Sequence, residues 1–262
     1  KNILITGGSE GIGRSLAIEL TKAGANVTII SRSQKKLESA LQDMKKHKAS
    51  SDQKLELIAC DVTDYNQTQK VIQDWASAYS PDILMNVAGY AMPGYVHEQE
   101  IEHYKKMMDL NYFGIVHTCK AIVPYFMKNK RGKILNTSSM CGFLGVFGYT
   151  GYCASKFAVV GFSEALKREM KPFNIHVSVL CPPNTKTPGL EQENKFKPQE
   201  VLATEEKAKV VTPEEVSQAT LKEFARGKFM IVPTFDGNMA YYLNRVSPKI
   251  IDQFVKRKDI SQ

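Results

Sequence analysis

The sequence predicts one α/β domain built on a doubly wound parallel sheet of about seven strands, with helices on both faces. Three observations predict it. Short aliphatic runs alternate with helix-length stretches along most of the 262 residues, the rhythm of strand–helix–strand units. The runs are almost continuously apolar, as strands buried on both faces are. A glycine-rich turn follows the first run and opens the first helical stretch.

The elements follow in order. The first strand is NILIT (2–6), and the helix near 12–23 starts from the glycine turn. NVTIIS (26–31) and LELIAC (55–60) are the next strands, with a helix near 34–47 between them. A helix near 66–79 leads to DILMN (82–86), and a long helical pattern spans 99–128. KILNT (133–137), a helix near 152–171, IHVSVLC (175–181), a helix near 213–226 and FMIV (229–232) complete the alternation. Residues 182–212 break it, with four prolines, many charges and no strand period. A stretch of that length without a strong element is commonly a functional cover, so 183–212 is expected to be a mobile substrate lid. No repeat, low-complexity tract or linker divides the chain, and a single domain over 1–262 is expected.

Composition bounds the function. Hydrophobic content of 43% and charged content of 24% fit a folded globular protein and exclude disordered, collagenous and coiled-coil chains. Five cysteines without a CxxC pair indicate reduced thiols and no zinc site. No apolar run reaches the ~18 residues of a membrane helix. The first strand begins almost at Lys1, which leaves room for a segment ahead of it in a longer protein. The net charge is +8, and residues 245–258 hold five basic residues against one acid. Such a run is a solvated face, a contact for an anionic membrane, or a match for a phosphate-rich cofactor. No nucleic-acid motif is present.

The chemistry starts at TGGSEGIG (6–13). Gly7, Gly11 and Gly13, with Ser9 and Ile12 between them, let the backbone turn tightly and approach a pyrophosphate at a helix N-terminus, the dinucleotide-binding pattern of a Rossmann fold. The second strand ends in SRS, where an acidic residue would hold the ribose 2′-OH of NAD. Arg32 instead offers a fork of donors to a 2′-phosphate, with Ser31 and Ser33 as hydroxyl donors. Arg14 and Lys36 could add charge. NADPH/NADP⁺ is the expected cofactor; an exposed arginine at a strand end is the alternative. Asp61 and Val62 (ACDVTD), and Asn86, Ala88 and Gly89 (NVAG), follow the third and fourth strands and would line the cofactor crevice. Asp61 could equally serve a turn or helix cap.

TGGSEGIG, NVAG, Asn111, Ser139 and YCASK (152–156) stand in this order and together resemble the short-chain dehydrogenase/reductase family, from the start of the chain to about residue 190. The resemblance implies catalytic roles for Asn111, Ser139, Tyr152 and Lys156. Lys156 lies one helical turn beyond Tyr152 on the same face, where its cation would lower a phenol pKa of about 10. Ser139 would hydrogen-bond the carbonyl oxygen as charge develops on it; it stands 13 residues before Tyr152, the family spacing. Asn111 would hold a proton-relaying water, or is a polar residue on a helix surface. Tyr152 and Lys156 also touch the cofactor in the family. In CPPNTKTPG (181–189), Pro182, Thr185 and Thr187 would face the nicotinamide amide, or the segment is a proline-stiffened turn.

FGYTGYCASKFAVVGFSEAL (147–166), the double proline, EQENKFKP (191–198) and FDG (235–237) are similar to a subgroup that reduces 3-ketosphinganine to sphinganine with NADPH, at the cytosolic face of the endoplasmic reticulum membrane. Asn184 and Lys186 stand where acidic residues would be expected to meet the substrate ammonium. The partner implied is thus a long-chain keto base. Phe143, Leu144, Val146, Phe147, Tyr149, Leu190 and Phe196 offer it apolar surface, or form core or a homo-oligomer interface. Hydroxysteroid or retinoid reduction, and a non-catalytic NADPH sensor or scaffold, are the other readings. MAYYL (239–243) and IIDQFV (250–255), flanked by Arg245, Lys249, Lys256, Arg257 and Lys258, suit peripheral membrane contact over 238–258, or a packed C-terminal helix or dimer contact.

Overall fold

The computed structural model describes residues 1–205 and 209–247. Seven parallel strands form its sheet: β1 (Asn2–Thr6), β2 (Asn26–Ser31), β3 (Leu55–Ala59), β4 (Ile83–Asn86), β5 (Gly132–Thr137), β6 (Ile175–Leu180) and β7 (Met230–Ile231). Their spatial order is β3-β2-β1-β4-β5-β6-β7, so the winding reverses between β1 and β4. That reversal opens a crevice at the C-terminal ends of the strands.

Alternate strand residues feed two cores. Ile3 and Ile5 pack with Leu16, Leu20, Leu37, Val216 and Phe224 on one face. Leu4, Leu84 and Ile134 pack with Ile72, Trp75, Ile122, Val159 and Leu166 on the other. The first face is covered by α1 (Gly11–Lys22), α2 (Gln34–Lys45) and α9 (Pro213–Ala225); the second by α3 (Tyr65–Tyr79), α5 (Gly114–Asn129) and α6 (Thr150–Met170). Local chemistry sets the helix starts. Asp64 Oδ1 accepts from Gln67 N at 3.0 Å to cap α3, and Thr212 and Glu215 form a reciprocal capping box on α9.

Two expectations change. The helical stretch at 99–128 is not one helix: α4 (Ile101–Met108) passes through a π turn (Asp109–Phe113) into α5. The Gly114 N–H reaches back to Asp109 O, and the widened turn brings Asn111 into the interior. The stretch at 183–212 is not devoid of elements. It holds α7 (Pro188–Glu193), a 3₁₀ turn (Asn194–Phe196) and α8 (Gln199–Glu205), and Lys186 N donates to Val211 O at 2.8 Å to close its base. MAYYL lies on α10 (Phe235–Val246), which does pack on the body: Tyr241 meets Phe143 edge-on at 5.2 Å. IIDQFV, Lys249, Lys256, Arg257 and Lys258 lie outside the described residues.

Candidate active site

The glycine turn sits at the mouth of the crevice. Gly7 takes φ +69°, and a Cβ there would stand 2.6 Å from Ala88 N. A Cβ on Gly13 would strike the Gly7 carbonyl. The β1–α1 turn therefore needs glycine to press against the strand-β4 loop. Ile12 packs at the edge of the first core. Thr187, at the N-terminus of α7, reaches across: a Cβ on Gly11 would meet its methyl at 2.9 Å. These bare backbones, with the N-terminus of α1 behind them, fit a bound pyrophosphate.

At the end of β2, Ser9 Oγ donates to Ser31 Oγ at 2.9 Å, and Ser33 Oγ caps α2 by accepting from Lys36 N at 3.4 Å. The Arg32 guanidinium is exposed and stands 3.8 Å from Asp61 Oδ2. So loose an exposed pair holds the arginine weakly. Asp61 Oδ1 accepts from Thr63 N and Oγ1 at 3.0 and 2.8 Å, the turn role left open above. Arg14 and Lys36 point elsewhere, paired with Asp43 and Glu10. Neither is a free cation beside Arg32.

The Asn86 side chain turns toward α5 and α6. Its Oδ1 accepts from Thr118 Oγ1 at 2.8 Å and its Nδ2 donates to Asn136 Oδ1 at 2.9 Å; Asn136 in turn donates to Ser163 Oγ at 2.9 Å. This buried network ties β4 and β5 to α5 and α6 and engages the whole Asn86 side-chain amide. Val62 is buried in the second core, with its carbonyl 2.9 Å from His117 Nδ1. Ala88 lies at that core's edge. Gly89 faces the centre of the site: a Cβ there would stand 3.3 Å from Lys156 Nζ and 3.4 Å from Asn111 Oδ1. Across the crevice, Pro182 O accepts from Met140 N at 3.3 Å. Thr185 Oγ1 donates to Pro183 O at 2.8 Å, and Thr187 Oγ1 accepts from Leu190 N at 3.2 Å.

Four polar side chains meet in the interior. Tyr152 and Lys156 project from one face of α6, with Nζ 5.6 Å from the phenol ring centroid. Nζ donates to Thr137 O at 3.0 Å, and burial pushes the ammonium down to about 8. Burial, with Cys141 and Glu193 nearby, raises the Tyr152 phenol above its ordinary range, while a hydrogen bond with Ser139 opposes the rise. Ser139 Oγ also accepts from Cys141 N at 3.2 Å. The neighbouring Ser138 is committed to the scaffold, donating to Lys156 O at 2.8 Å. Asn111, delivered by the π turn, donates to Tyr90 O at 2.8 Å and to Ser155 Oγ at 2.9 Å.

Residues 1–198 match the family model described as short chain dehydrogenase. The chain belongs to the short-chain dehydrogenase family. Among its relatives are a 3-ketodihydrosphingosine reductase of Mus musculus, 40% identical over 91% of this chain and 72% of that protein, and a 3-dehydrosphinganine reductase of Danio rerio, 40% identical over 87% and 69%. A 3-ketodihydrosphingosine reductase of Dictyostelium discoideum is 39% identical over 89% and 75%. Among solved structures, "ElxO with NADP Bound" is 26% identical, with a TM-score of 0.77 over 89% of this chain and 97% of that one. A short-chain dehydrogenase from Sphingobium yanoikuyae in complex with NADPH shares the fold, with a TM-score of 0.80 over 100% and 96% at 24% identity.

Sequence reasoning missed the polar cluster between α7 and α8. Tyr149 OH donates to Glu193, and Lys197 lies buried between Glu193 and Glu205. The four-residue spacing of Glu193 and Lys197 was its one legible sign.

Proposed function

We propose that this protein is an NADPH-dependent reductase of long-chain keto bases, converting 3-ketosphinganine to sphinganine in sphingolipid synthesis. The observation that carries this is the 40% identity, across 91% of the chain, to a reductase named for that ketone. The assembled Ser139, Tyr152 and Lys156 supply the chemistry. A binding-only sensor has no use for all three.

Gly7, Gly11, Gly13, Ser9, Ser31 and Arg32 would hold the cofactor, with Thr185 and Thr187 at its nicotinamide end. When bound, it supplies hydride to the carbonyl carbon. Ser139 Oγ and the Tyr152 phenol grip the carbonyl oxygen and stabilise its developing charge. Tyr152 OH then gives its proton to that oxygen. The buried Lys156 ammonium favours the resulting phenolate, and with its pKa near 8 Nζ can return a proton near neutral pH. The acyl chain would lie along apolar residues of the lid and the loop before α6, each buried CH₂ contributing about 0.8 kcal/mol.

The same proposal has the enzyme working at the cytosolic face of the endoplasmic reticulum membrane. In support, Phe235, Met239, Tyr242 and Val246 are all exposed and recur at helical spacing along one side of α10. An apolar stripe of this kind suits an interfacial helix. NADPH oxidation with a panel of 3-ketosphinganine, steroid ketones and retinal tests the assignment. Turnover should be confined to the keto base; preference for a steroid or retinoid carbonyl would replace this substrate class with another.

A further inference from the structure

The lid brings an unbalanced negative charge up to the reaction centre. Glu193 closes α7 and Glu205 closes α8. Lys197 lies between them with its side chain fully buried, Nζ being 3.4 Å from Glu193 Oε1 and 2.5 Å from Glu205 Oε2. Tyr149 OH donates to Glu193 Oε1 and stands 3.3 Å from Glu205 Oε1. With both carboxylates ionised, two negative charges face one positive charge among the described residues. An uncompensated buried charge is costly to hold. Burial accordingly raises the Glu193 carboxyl above its ordinary range, against the pull of Tyr149 and Lys197.

The cluster borders the chemistry. The Tyr149 and Tyr152 rings stand 6.0 Å apart, and the Glu193 charge is felt at the Tyr152 phenol, opposing its ionisation. Resting on the keto-base reading above, we infer that Glu193 binds the ammonium group of the substrate. In 3-ketosphinganine that group sits on the carbon next to the ketone. A carbonyl oxygen held by Ser139 and Tyr152 therefore carries the ammonium to the edge of this cluster. Its arrival balances the charges, two against two. It also shields Tyr152 from Glu193, easing ionisation of the phenol as the proton leaves. Steroid and retinoid carbonyl compounds bring no cation and leave the carboxylate uncompensated, so the cluster selects against them. Asn184 and Lys186, neutral and basic where acids were expected, then need no part in amine recognition.

The test compares wild type, Glu193→Gln and Glu193→Asp on 3-ketosphinganine and on its des-amino counterpart, 1-hydroxyoctadecan-3-one, with NADPH binding measured alongside. Gln keeps the size of Glu193 and can still accept from Tyr149. The Gln variant should lose about 10²-fold in kcat/KM on the amino ketone, as removal of one partner of a buried charge pair implies, while turnover of the des-amino ketone should rise, because the uncompensated charge that selects against it is gone. NADPH binding should be unaltered. The Asp variant, which keeps the charge, should retain the preference for the amino ketone. Equal losses on both ketones with NADPH binding intact, unchanged turnover of the amino ketone, or lost preference in the Asp variant would overturn the role of Glu193 and leave the reductase assignment standing. A wild-type protein that reduces neither ketone would overturn the assignment itself.

Discussion

Lys156→Met should make the protein more stable as it removes activity. Lys156 is buried, and burial takes its ammonium from 10.5 to about 8. At 1.36 kcal/mol per pH unit, holding it charged at neutral pH costs about 3 kcal/mol of folding free energy. Methionine fills similar space without that charge. Against the gain, the Thr137 carbonyl loses the hydrogen bond from Nζ, and a buried acceptor left unpaired costs about 1–2 kcal/mol. The balance is a gain of about 1–2 kcal/mol near pH 7, or roughly 2–4 °C in Tm for a chain of this length. The sign depends on pH. Below pH 8 the lysine is protonated both folded and unfolded, and the cost is felt in full. Between pH 8 and 10.5 the folded lysine sheds its proton while the unfolded one keeps it, so wild-type stability rises relative to the variant. Melting curves of both proteins, compared at each pH so that other titrations cancel, should show the methionine advantage narrowing and then reversing across that window. A variant less stable at pH 7, or a difference that ignores pH, would refute this account of Lys156.

Two further outcomes are expected. Arg32→Asp should lower the NADPH-over-NADH ratio in kcat/KM by about 10–100-fold, the worth of charge-assisted bonds to a phosphate; an unchanged ratio would remove Arg32 as the selector. In liposome flotation, binding should increase with anionic lipid, and Phe235→Glu, Met239→Glu and Tyr242→Glu together should weaken it with no loss of fold, because all three side chains are exposed. Flotation indifferent to these changes would leave α10 as a packed helix only.

The sheet was legible because its strands are buried on both faces, so NILIT, NVTIIS and ILMN read as continuous apolar runs that a surface helix would not carry. The glycine turn was legible because its geometry admits few other residues. The packing role of the Asn86 side chain was not read from the sequence, though strand alternation could have shown it: Asn86 pairs across the ladder with Asn136, and both side chains turn toward α5 and α6. The π turn at Asp109–Phe113 left no trace, since one extra residue in a helical turn hardly disturbs the apolar period. Helices α7 and α8 are short, and tertiary partners hold them rather than an amphipathic pattern; Lys197 reads as a surface lysine, yet it is buried between Glu193 and Glu205.

Transfer of hydride to the ketone carbon, with Tyr152 as proton donor, is the step on which the proposed activity rests. The most direct measurement supplies purified protein with 3-ketosphinganine and NADPH deuterated at the transferred position, then reads the product by mass spectrometry. The expected product is sphinganine carrying one deuterium on C3. Tyr152→Phe should bind NADPH normally and form that product 10²–10⁴-fold more slowly, the usual contribution of a general acid. Unlabelled sphinganine, no sphinganine from wild-type protein that binds NADPH, or undiminished product from the phenylalanine variant would contradict it.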